Sequence, residues 1–450
     1  VVLGEWYIPG TPEPEYPDWF KDSVIALYDP ASQGMTNYDV IEAYVEDFTY
    51  WTLDNTGITS TPKKIVIPAG TKLKYIIAYR GFNSFTDGFD IKYTGNAVIT
   101  YRYNKEDGTV GTITINRSGI YHLPASIKAQ KNFGFYCNPQ TVTEEATIEQ
   151  LPTSILKDFS GNGNHAYLYG GKGKLNSGMG VYKFDFLSDL LINSAYLPYI
   201  ERQYDSICSL AGHPNGWLFQ YKSLTDIPTF KIEVKGIVND KFHYHWYNEN
   251  GNRGVDLVID KDGIYEFPMS YSVETNTGVG IVCDNICQDN VCFTQIPDYP
   301  NQLCYDGKMY AVCYDFPILT DYTVMAERTW FERQNRACFL SKITTSGTGA
   351  FGFEFYNEYN EDTTYSFGRA NNVEYFKDGI TYQITNSYNG IVKLNYIVNG
   401  KDNAELYIGK LRPSERPAFI GCHGTIIVAD RSFTEEEIDW IKENIYNIKI

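Results

Sequence analysis

The feature that most constrains this chain is an internal repeat. YNKEDGTVGTITINRSGIYHLPAS (Tyr103–Ser126) aligns with YNENGNRGVDLVIDKDGIYEFPMS (Tyr247–Ser270) at a constant offset. Tyr103 matches Tyr247, Gly119 matches Gly263, Tyr121 matches Tyr265 and Pro124 matches Pro268. Upstream, FDIKYTGN (Phe89–Asn96) mirrors FKIEVKGI (Phe230–Ile237); downstream, FGFYC (Phe133–Cys137) mirrors GIVC (Gly280–Cys283). IYHLP and IYEFP run apolar, aromatic, polar, apolar, and stop at a proline that cannot continue a central strand. Each copy spans roughly 80–90 residues of alternating strands, the size of a small β-sandwich.

The remaining stretches read as pieces of one host domain. SVIALYDP (Ser23–Pro30) and a helix at the C-terminus cannot each fold alone, and insertion into exposed loop tips is a tolerated route of growth. The division is therefore a linker over 1–21, host segments over 22–58, 150–216 and 300–450, and inserted β-sandwiches over 59–149 and 217–299. A chain of 450 residues accommodates two to four domains at roughly 100–200 residues each. Pro9, Pro12, Pro14 and Pro17 among four aromatics make the first stretch an extended connector. Val40, Ile41, Tyr44, Val45 and Phe48 form one stripe and predict a helix over Asn37–Thr52. A second helix follows Thr434. Glu437 completes a capping box, Glu435 and Glu436 suit the positive end of the dipole, and Ile438, Ile441 and Ile445 form the buried stripe. Between these helices the chain alternates strands with Gly, Asn and Asp turns.

Composition narrows the partners. The 38 tyrosines equal Lys and Arg combined, which suits either filled sheet faces or recognition surfaces. A net charge of −17 argues against nucleic acid, whose phosphates ask for a basic surface. No apolar run approaches the ~18 residues of a membrane span. No charged n-region with an apolar h-region opens the sequence. The first residue, Val1, suggests a processed chain or a piece of something longer. The nine cysteines leave at least one unpaired. Cys283, Cys287 and Cys292 lack zinc-ligand spacing and read as free, buried thiols, which suits folding in a reducing cytoplasm, as for a virion protein assembled inside a bacterium.

The sharpest local signature is LKDFSGNGNHAYLYG (Leu156–Gly170), a tight turn built by Asp158, Gly161, Asn162, Gly163 and Asn164 ahead of a strand. This turn resembles the first β-turn of concanavalin A-like, laminin-G-type jelly rolls. YAVCYDFPILTDYTVMAER (Tyr310–Arg328) and GTIIVADRSFTEEEIDWIKENI (Gly424–Ile445) resemble a later strand step and the closing strand and helix of those domains. The resemblance covers the host segments, about half the chain. It implies an all-β fold: a concanavalin A-like jelly roll interrupted by two homologous β-sandwiches, with a short C-terminal helix. The combination also resembles structural proteins of gut Bacteroides phages, crAss-like phages among them. That implies a virion appendage such as a head or tail fibre. The inserted modules depart from a minimal laminin-G-type domain.

Catalytic patterns are missing. Jelly-roll glycosidases place two carboxylates on one strand. The nearest approach, FEFYNEYNEDTTY (Phe353–Tyr365), offers Glu354, Glu358 and Glu361 without the intervening Asp, and alternation would turn Glu354 and Glu361 to opposite faces. There is no G-x-S-x-G, H-E-x-x-H, P-loop or strand-borne GxGxxG. His243 and His245 share a strand face and read as cross-strand hydrogen-bonding pairing, not as metal ligands. No cofactor is expected. The resemblance leaves room for a calcium ion at acidic loops such as Asn360–Asp362 or Asp284–Asp289, though neither has EF-hand spacing.

The expected function is a non-enzymatic virion adhesion or structural protein. It would present lectin-like sandwiches to a bacterial surface polysaccharide or a neighbouring virion subunit, as a homo-oligomer with avidity from repetition. The alternatives are a secreted or cell-surface bacterial glycan-binding protein and a jelly-roll glycoside hydrolase. Sugar rings stack on exposed aromatic faces, so Trp217, Trp246 and Trp330 are the candidate carbohydrate-binding residues, each also suited to a core.

Overall fold

The computed structural model describes residues 16–447 apart from 36–40, 55–56, 82–83, 128–131, 172–184, 204, 223–225, 273–277, 318–320, 333, 335–336, 344–351, 358–364, 368–378, 388–404 and 412–417; side chains at 321, 343, 352–357, 365–367 and 379–387 are also outside the description. The chain is all-β: a sandwich interrupted by two β-sandwich modules, with a short C-terminal helix.

The outer sandwich gathers strands from far apart in sequence. Val24–Tyr28 pairs with Ile420–Ala429, which also pairs with Asp321–Glu332 and Leu303–Asp306. The facing sheet runs Ile155–Leu156, Ala166–Tyr169, Tyr310–Cys313, Leu406–Ile408, Cys338–Ile343, Gly352–Asn357 and Tyr365–Phe367. Ala26, Tyr28, Leu168, Ala311, Val324 and Val428 meet in one core between them. All ten residues of Ile420–Ala429 are buried, as expected of a central strand covered on both sides.

The two modules have the same strand order. In module A, one sheet runs Gly119–Leu123, Phe89–Thr94, Ala146–Gln150, Lys64–Ile67, Thr59–Ser60; its partner runs Thr52–Leu53, Ile76–Arg80, Phe133–Tyr136, Ile99–Asn104, Val110–Ile115. Module B repeats this as Gly263–Phe267, Phe230–Lys235, Val291–Ile296, Ser206–Ser209, Ile200–Arg202, and Leu190–Leu191, Gly216–Tyr221, Gly280–Cys283, Phe242–His245, Leu257–Ile259. The equivalence reaches single atoms. The Tyr121 hydroxyl donates to the Arg117 carbonyl at 2.9 Å, and the Tyr265 hydroxyl to the Lys261 carbonyl at 2.7 Å.

Both modules begin earlier than the sequence reading placed them. Phe48 and Trp51 are buried in the module A core, and Thr52–Leu53 is one of its strands, so the boundary at 59 cuts through the module. Likewise Phe186, Leu187 and Leu190 belong to the module B core, and the strands Leu190–Leu191, Ile200–Arg202 and Ser206–Ser209 lie in its sheets. Residues from 186 to 216 are therefore not a host segment. Each entry is latched by a buried glutamine. Gln150 Oε1 accepts from the Glu46 amide at 2.8 Å, and Gln295 Oε1 from the Phe186 amide at 3.1 Å.

The same contacts overturn the helix expected over Asn37–Thr52. Residues 36–40 lie outside the description, and a single 3-10 turn, Phe48–Tyr50, replaces the rest. The amides are claimed by distant partners: Glu42 donates to the Gly171 carbonyl at 3.0 Å and Glu46 to Gln150. Tertiary hydrogen bonds outcompete local periodicity. Nor is the connector extended to its end. Asp18–Ser23 is helical, and Trp19 packs edge-on against Phe433 and Trp440 at 5.4 and 5.7 Å. That cluster seats the C-terminal helix Glu435–Asn444, whose capping box is formed by Thr434 and Glu437.

The cysteine expectation needs one correction. Cys208 and Cys292 face each other on neighbouring strands and form a disulfide, so Cys292 is not a free thiol. The seven other cysteines are buried and outside any disulfide.

Tyrosines mortar module A to the outer sandwich. The Tyr167 hydroxyl donates to Asp90 Oδ2 at 2.8 Å, and Asp90 Oδ1 meets His122 Nδ1 at 2.8 Å. Within the outer sandwich, Tyr169 shares a hydrogen bond of 2.8 Å with Tyr314. Lys92 pairs with Glu405 at 2.6 Å and lies over the Tyr314 ring at 4.1 Å. Burial pushes the hydroxyls of Tyr167, Tyr169 and Tyr314 well above their ordinary range, so they remain neutral donors.

One buried group makes the outer sandwich acid-sensitive. His423 is fully buried; its Nδ1 donates to the Gly424 carbonyl at 2.7 Å and its Nε2 accepts from the Tyr305 hydroxyl at 3.0 Å. Burial lowers its pKa to about 4. The unfolded chain, titrating near its ordinary value of 6.5, binds the proton first, so acid favours unfolding. We expect the melting temperature to fall as pH drops from 6.5 towards 4, and His423→Gln to flatten that part of the profile. An unchanged slope in the variant would remove His423 as the cause.

Candidate functional site

The FSGNGN turn is a clamp on the first strand of the outer sandwich. Asp158 is 7% exposed. Its Oδ1 accepts from the Leu27 and Ser160 amides, and its Oδ2 from the Ser160 hydroxyl and the Asn164 amide, all at 2.9 Å. Asn162 Nδ2 donates to the Val24 carbonyl at 3.0 Å and Asn164 Nδ2 to the Ile25 carbonyl at 2.7 Å. Gly161 and Gly163 take the positive φ angles, 86° and 76°, that let the turn fold back. Every polar group named here is spent on holding backbone.

The three tryptophans are not brought together. Trp330 packs edge-on against Phe419 at 4.6 Å beside the outer core, with the Arg328 guanidinium 5.6 Å from its ring. Trp246 covers Gly254 and donates to the Val255 carbonyl at 2.9 Å. Trp217 meets the His245 ring at 5.2 Å and 74°.

Trp217 and His245 lie on the outer face of module B's second sheet. Strand alternation turns Phe242 and Tyr244 into the core and His243 and His245 outward. Each histidine has a carboxylate: His243 Nε2 meets Asp284 Oδ2 at 2.8 Å, and His245 Nδ1 meets Asp256 Oδ1 at 2.7 Å. Arg253 Nη2 closes on Asp256 Oδ2 at 2.9 Å. Burial alone would raise the Asp256 pKa; the hydrogen bonds from Arg253 and His245 outweigh it and hold it down. The histidines thus make hydrogen-bonding contacts across to acids of neighbouring segments, acids that do not lie beside them in sequence.

Module A shows a different chemistry on the equivalent face. Here Ile99 and Tyr101 fill the core, and Thr100 and Arg102 face outward. The face is an open groove of about 600 Å³ lined by Tyr75, Thr100, Arg102, Thr112, Tyr136 and Asn138 among others, with no acidic residue in its lining. Tyr75 is 56% exposed. Arg102 lies over the Tyr136 ring at 4.7 Å and donates to the Tyr75 hydroxyl at 3.2 Å, while the two rings meet at 5.8 Å. An open trough with ring faces, hydroxyls, an amide and a guanidinium can bind a polar polymer carrying apolar patches. The residues come from strands and a loop over sixty positions apart. The only sequence trace is the polar alternation of ITYRYN (Ile99–Asn104).

The acidic loops suggested for calcium use their carboxylates otherwise. Asp289 Oδ2 accepts from the Val238, Asn239 and Asp240 amides at 2.9, 2.6 and 3.2 Å. Those amides hold its pKa below the usual carboxylate range. Asp240 in turn accepts from the Gln288 and Asp289 amides. Asp284 pairs with His243. Asn360–Asp362, Glu358 and Glu361 lie outside the described residues, and the side chain of Glu354 does too. Among the described residues no cluster of three or more His, Cys, Asp or Glu side chains is arranged to hold a metal ion, and no helix is long and apolar enough to cross a membrane.

No family model and no curated protein matches the chain. Among solved structures, two variants of Bacillus subtilis oxalate decarboxylase are similar at 8% identity, over 58% of this chain and 78% of theirs, with a TM-score of 0.12, a likeness too slight to bear on fold or chemistry.

Proposed function

We propose that this chain is a non-enzymatic adhesion protein of a virion, a fibre-like appendage that binds a bacterial surface glycan through module A. The observation that carries the glycan reading is the open groove with exposed Tyr75 beside Tyr136 and the stacked Arg102. A pyranose has an apolar face for a ring and hydroxyls for planar polar groups. The docking of module A through Tyr167, Tyr314 and Lys92 fixes the groove relative to the outer sandwich. A fixed platform lowers the ordering cost of binding. The virion assignment draws support from the resemblance of the GNGN turn and the FTEEEI helix. A single shallow site is weak, so repetition in a homo-oligomer supplies avidity.

A second reading, a secreted or cell-surface bacterial glycan-binding protein, is favoured by the Cys208–Cys292 disulfide, since such bonds persist in oxidising compartments.

Two experiments test these readings. On an array of bacterial surface polysaccharides, the purified protein should bind, and Tyr75→Ala and Tyr136→Ala should each reduce retention about tenfold, the scale of one stacked ring at about 1.4 kcal/mol. Equal retention by both variants would sink the groove. Mass spectrometry of purified phage particles should find the chain. Its absence there, with a secretion signal on the full-length protein, would favour the second reading.

A further inference from the structure

Resting on that reading of the groove, we propose that module A recognises an acidic polysaccharide, and that Arg102 pairs with the carboxylate of a uronic-acid-type sugar. The chain holds 55 acidic residues against 38 Lys and Arg, and several of its arginines pair with an acid. Arg80 pairs with Glu46, Arg253 with Asp256 and Arg431 with Glu437. Arg102 is half-buried, yet among the described residues no carboxylate pairs with it. Its described partners are the Tyr75 hydroxyl and the Tyr136 ring.

The repeat supplies the control. Arg102 stands opposite Gly134, as His245 stands opposite Gly280, so the two occupy equivalent places, one position away from the sequence alignment, which would match Arg102 to Trp246. In module B Asp256, just ahead of the neighbouring strand, meets His245 at 2.7 Å and pairs with Arg253, so an acid of the chain itself closes that face. In module A the residue opposite Arg102 on the neighbouring strand is Thr112. The acid that closes the face in one copy is missing in the other, and there the face is an open groove. A guanidinium stacked on one tyrosine and tethered by another has lost most of its rotamer freedom before a ligand arrives. Its remaining N–H donors match a carboxylate in a fork geometry that a neutral hydroxyl cannot use fully. Thr100, Thr112 and Asn138 provide short polar groups for the sugar hydroxyls, and Tyr75 a ring for the sugar face.

The test compares two forms of one ligand. A glucuronic-acid-containing hexasaccharide and its carboxyl-reduced, neutral counterpart are titrated into the full chain by calorimetry. Wild-type protein should bind the acidic form at least about tenfold more tightly, the scale of one charge-assisted pair. Arg102→Ala should bind both forms alike, at the affinity of the neutral one. Tyr75→Ala should weaken both by the same factor and keep the discrimination. Unchanged melting curves exclude misfolding as the cause. If both forms bind wild type equally, or the neutral form binds better, the acidic-sugar proposal falls and the glycan reading stands. If neither binds, while a peptide of the chain's own acidic stretch Thr434–Glu443 does, both fall and the groove is a contact between copies.

Discussion

Gly134→Ala should unfold module A and leave module B intact, and Gly280→Ala should do the reverse. Both glycines sit in the strand that bulges against its neighbour, with φ of 150° and 155°. A Cβ on Gly134 would lie 2.3 Å from the Ala78 carbonyl oxygen and 2.6 Å from the Tyr79 Cα. On Gly280 it would lie 2.2 Å from the Phe219 carbonyl oxygen and 2.9 Å from the Gln220 Cα. The obstacles are backbone of the adjacent strand, so no side-chain rotation relieves them. Strain and clash together should cost about 4 kcal/mol or more, at the severe end for a single substitution. Gly163→Ala is the control. Its φ is also positive, but nothing lies within 4 Å of the added carbon, and the cost should be about 1 kcal/mol. Hydrogen exchange resolved by peptide reads the outcome. In Gly134→Ala, peptides covering Ile99–Asn104 should lose protection while those covering Phe242–His245 keep it. Retained protection in both would show that the strands can separate cheaply, against the close pairing described.

How far the fold could be read from the sequence varied with the range of the interaction. The repeat was legible where long strands and their turn fall within one short window, as in Tyr103–Ser126. Its ends were not, because the matching signals are brief: Asp47–Phe48 with Asp185–Phe186, and Gln150 with Gln295. Only the fold shows that Asp47 and Asp185 both cap a turn and that both glutamines latch an entering strand. Local signals held for the C-terminal helix, whose capping box needs only residues three apart. They failed over 41–52, where apolar spacing suited a helix but the Glu42 and Glu46 amides went to residues more than a hundred positions away. Cys208 and Cys292 are 84 residues apart and meet only because their strands are neighbours. The groove was equally hidden, since Tyr75, Arg102 and Tyr136 become neighbours through strand order, and no spacing in sequence announces it. Large tryptophans drew attention as sugar platforms, yet smaller tyrosines line the open face.

Asp158→Ala should destabilise the outer sandwich by about 3–5 kcal/mol, the cost of stranding buried partners of a charged group. The carboxylate takes four hydrogen bonds at 2.9 Å, three of them from backbone amides. One amide, that of Leu27, belongs to a strand more than a hundred residues upstream, so the side chain fastens the turn and the strand together. Val24–Tyr28 needs this fastening because, among the described residues, it pairs in its sheet through Ile420–Ala429 alone, leaving its other edge to the turn. Asp158→Asn keeps the Oδ1 acceptor for Leu27 and Ser160 but turns an NH₂ towards the Asn164 amide, donor against donor, and should fall between Asp158→Ala and wild type. Asn162→Ala removes one hydrogen bond to the Val24 carbonyl and should cost about 1 kcal/mol. Denaturant midpoints that rise in the order Asp158→Ala, Asp158→Asn, Asn162→Ala, with early exchange of the Leu27 amide in Asp158→Ala, would establish the clamp. If Asp158→Ala and Asp158→Asn cost the same small amount, the carboxylate is not what holds the strand. Sugar binding at the module A groove should be unchanged in all three variants below their melting temperatures, because the turn spends its polar groups on backbone and the groove lies on another sandwich.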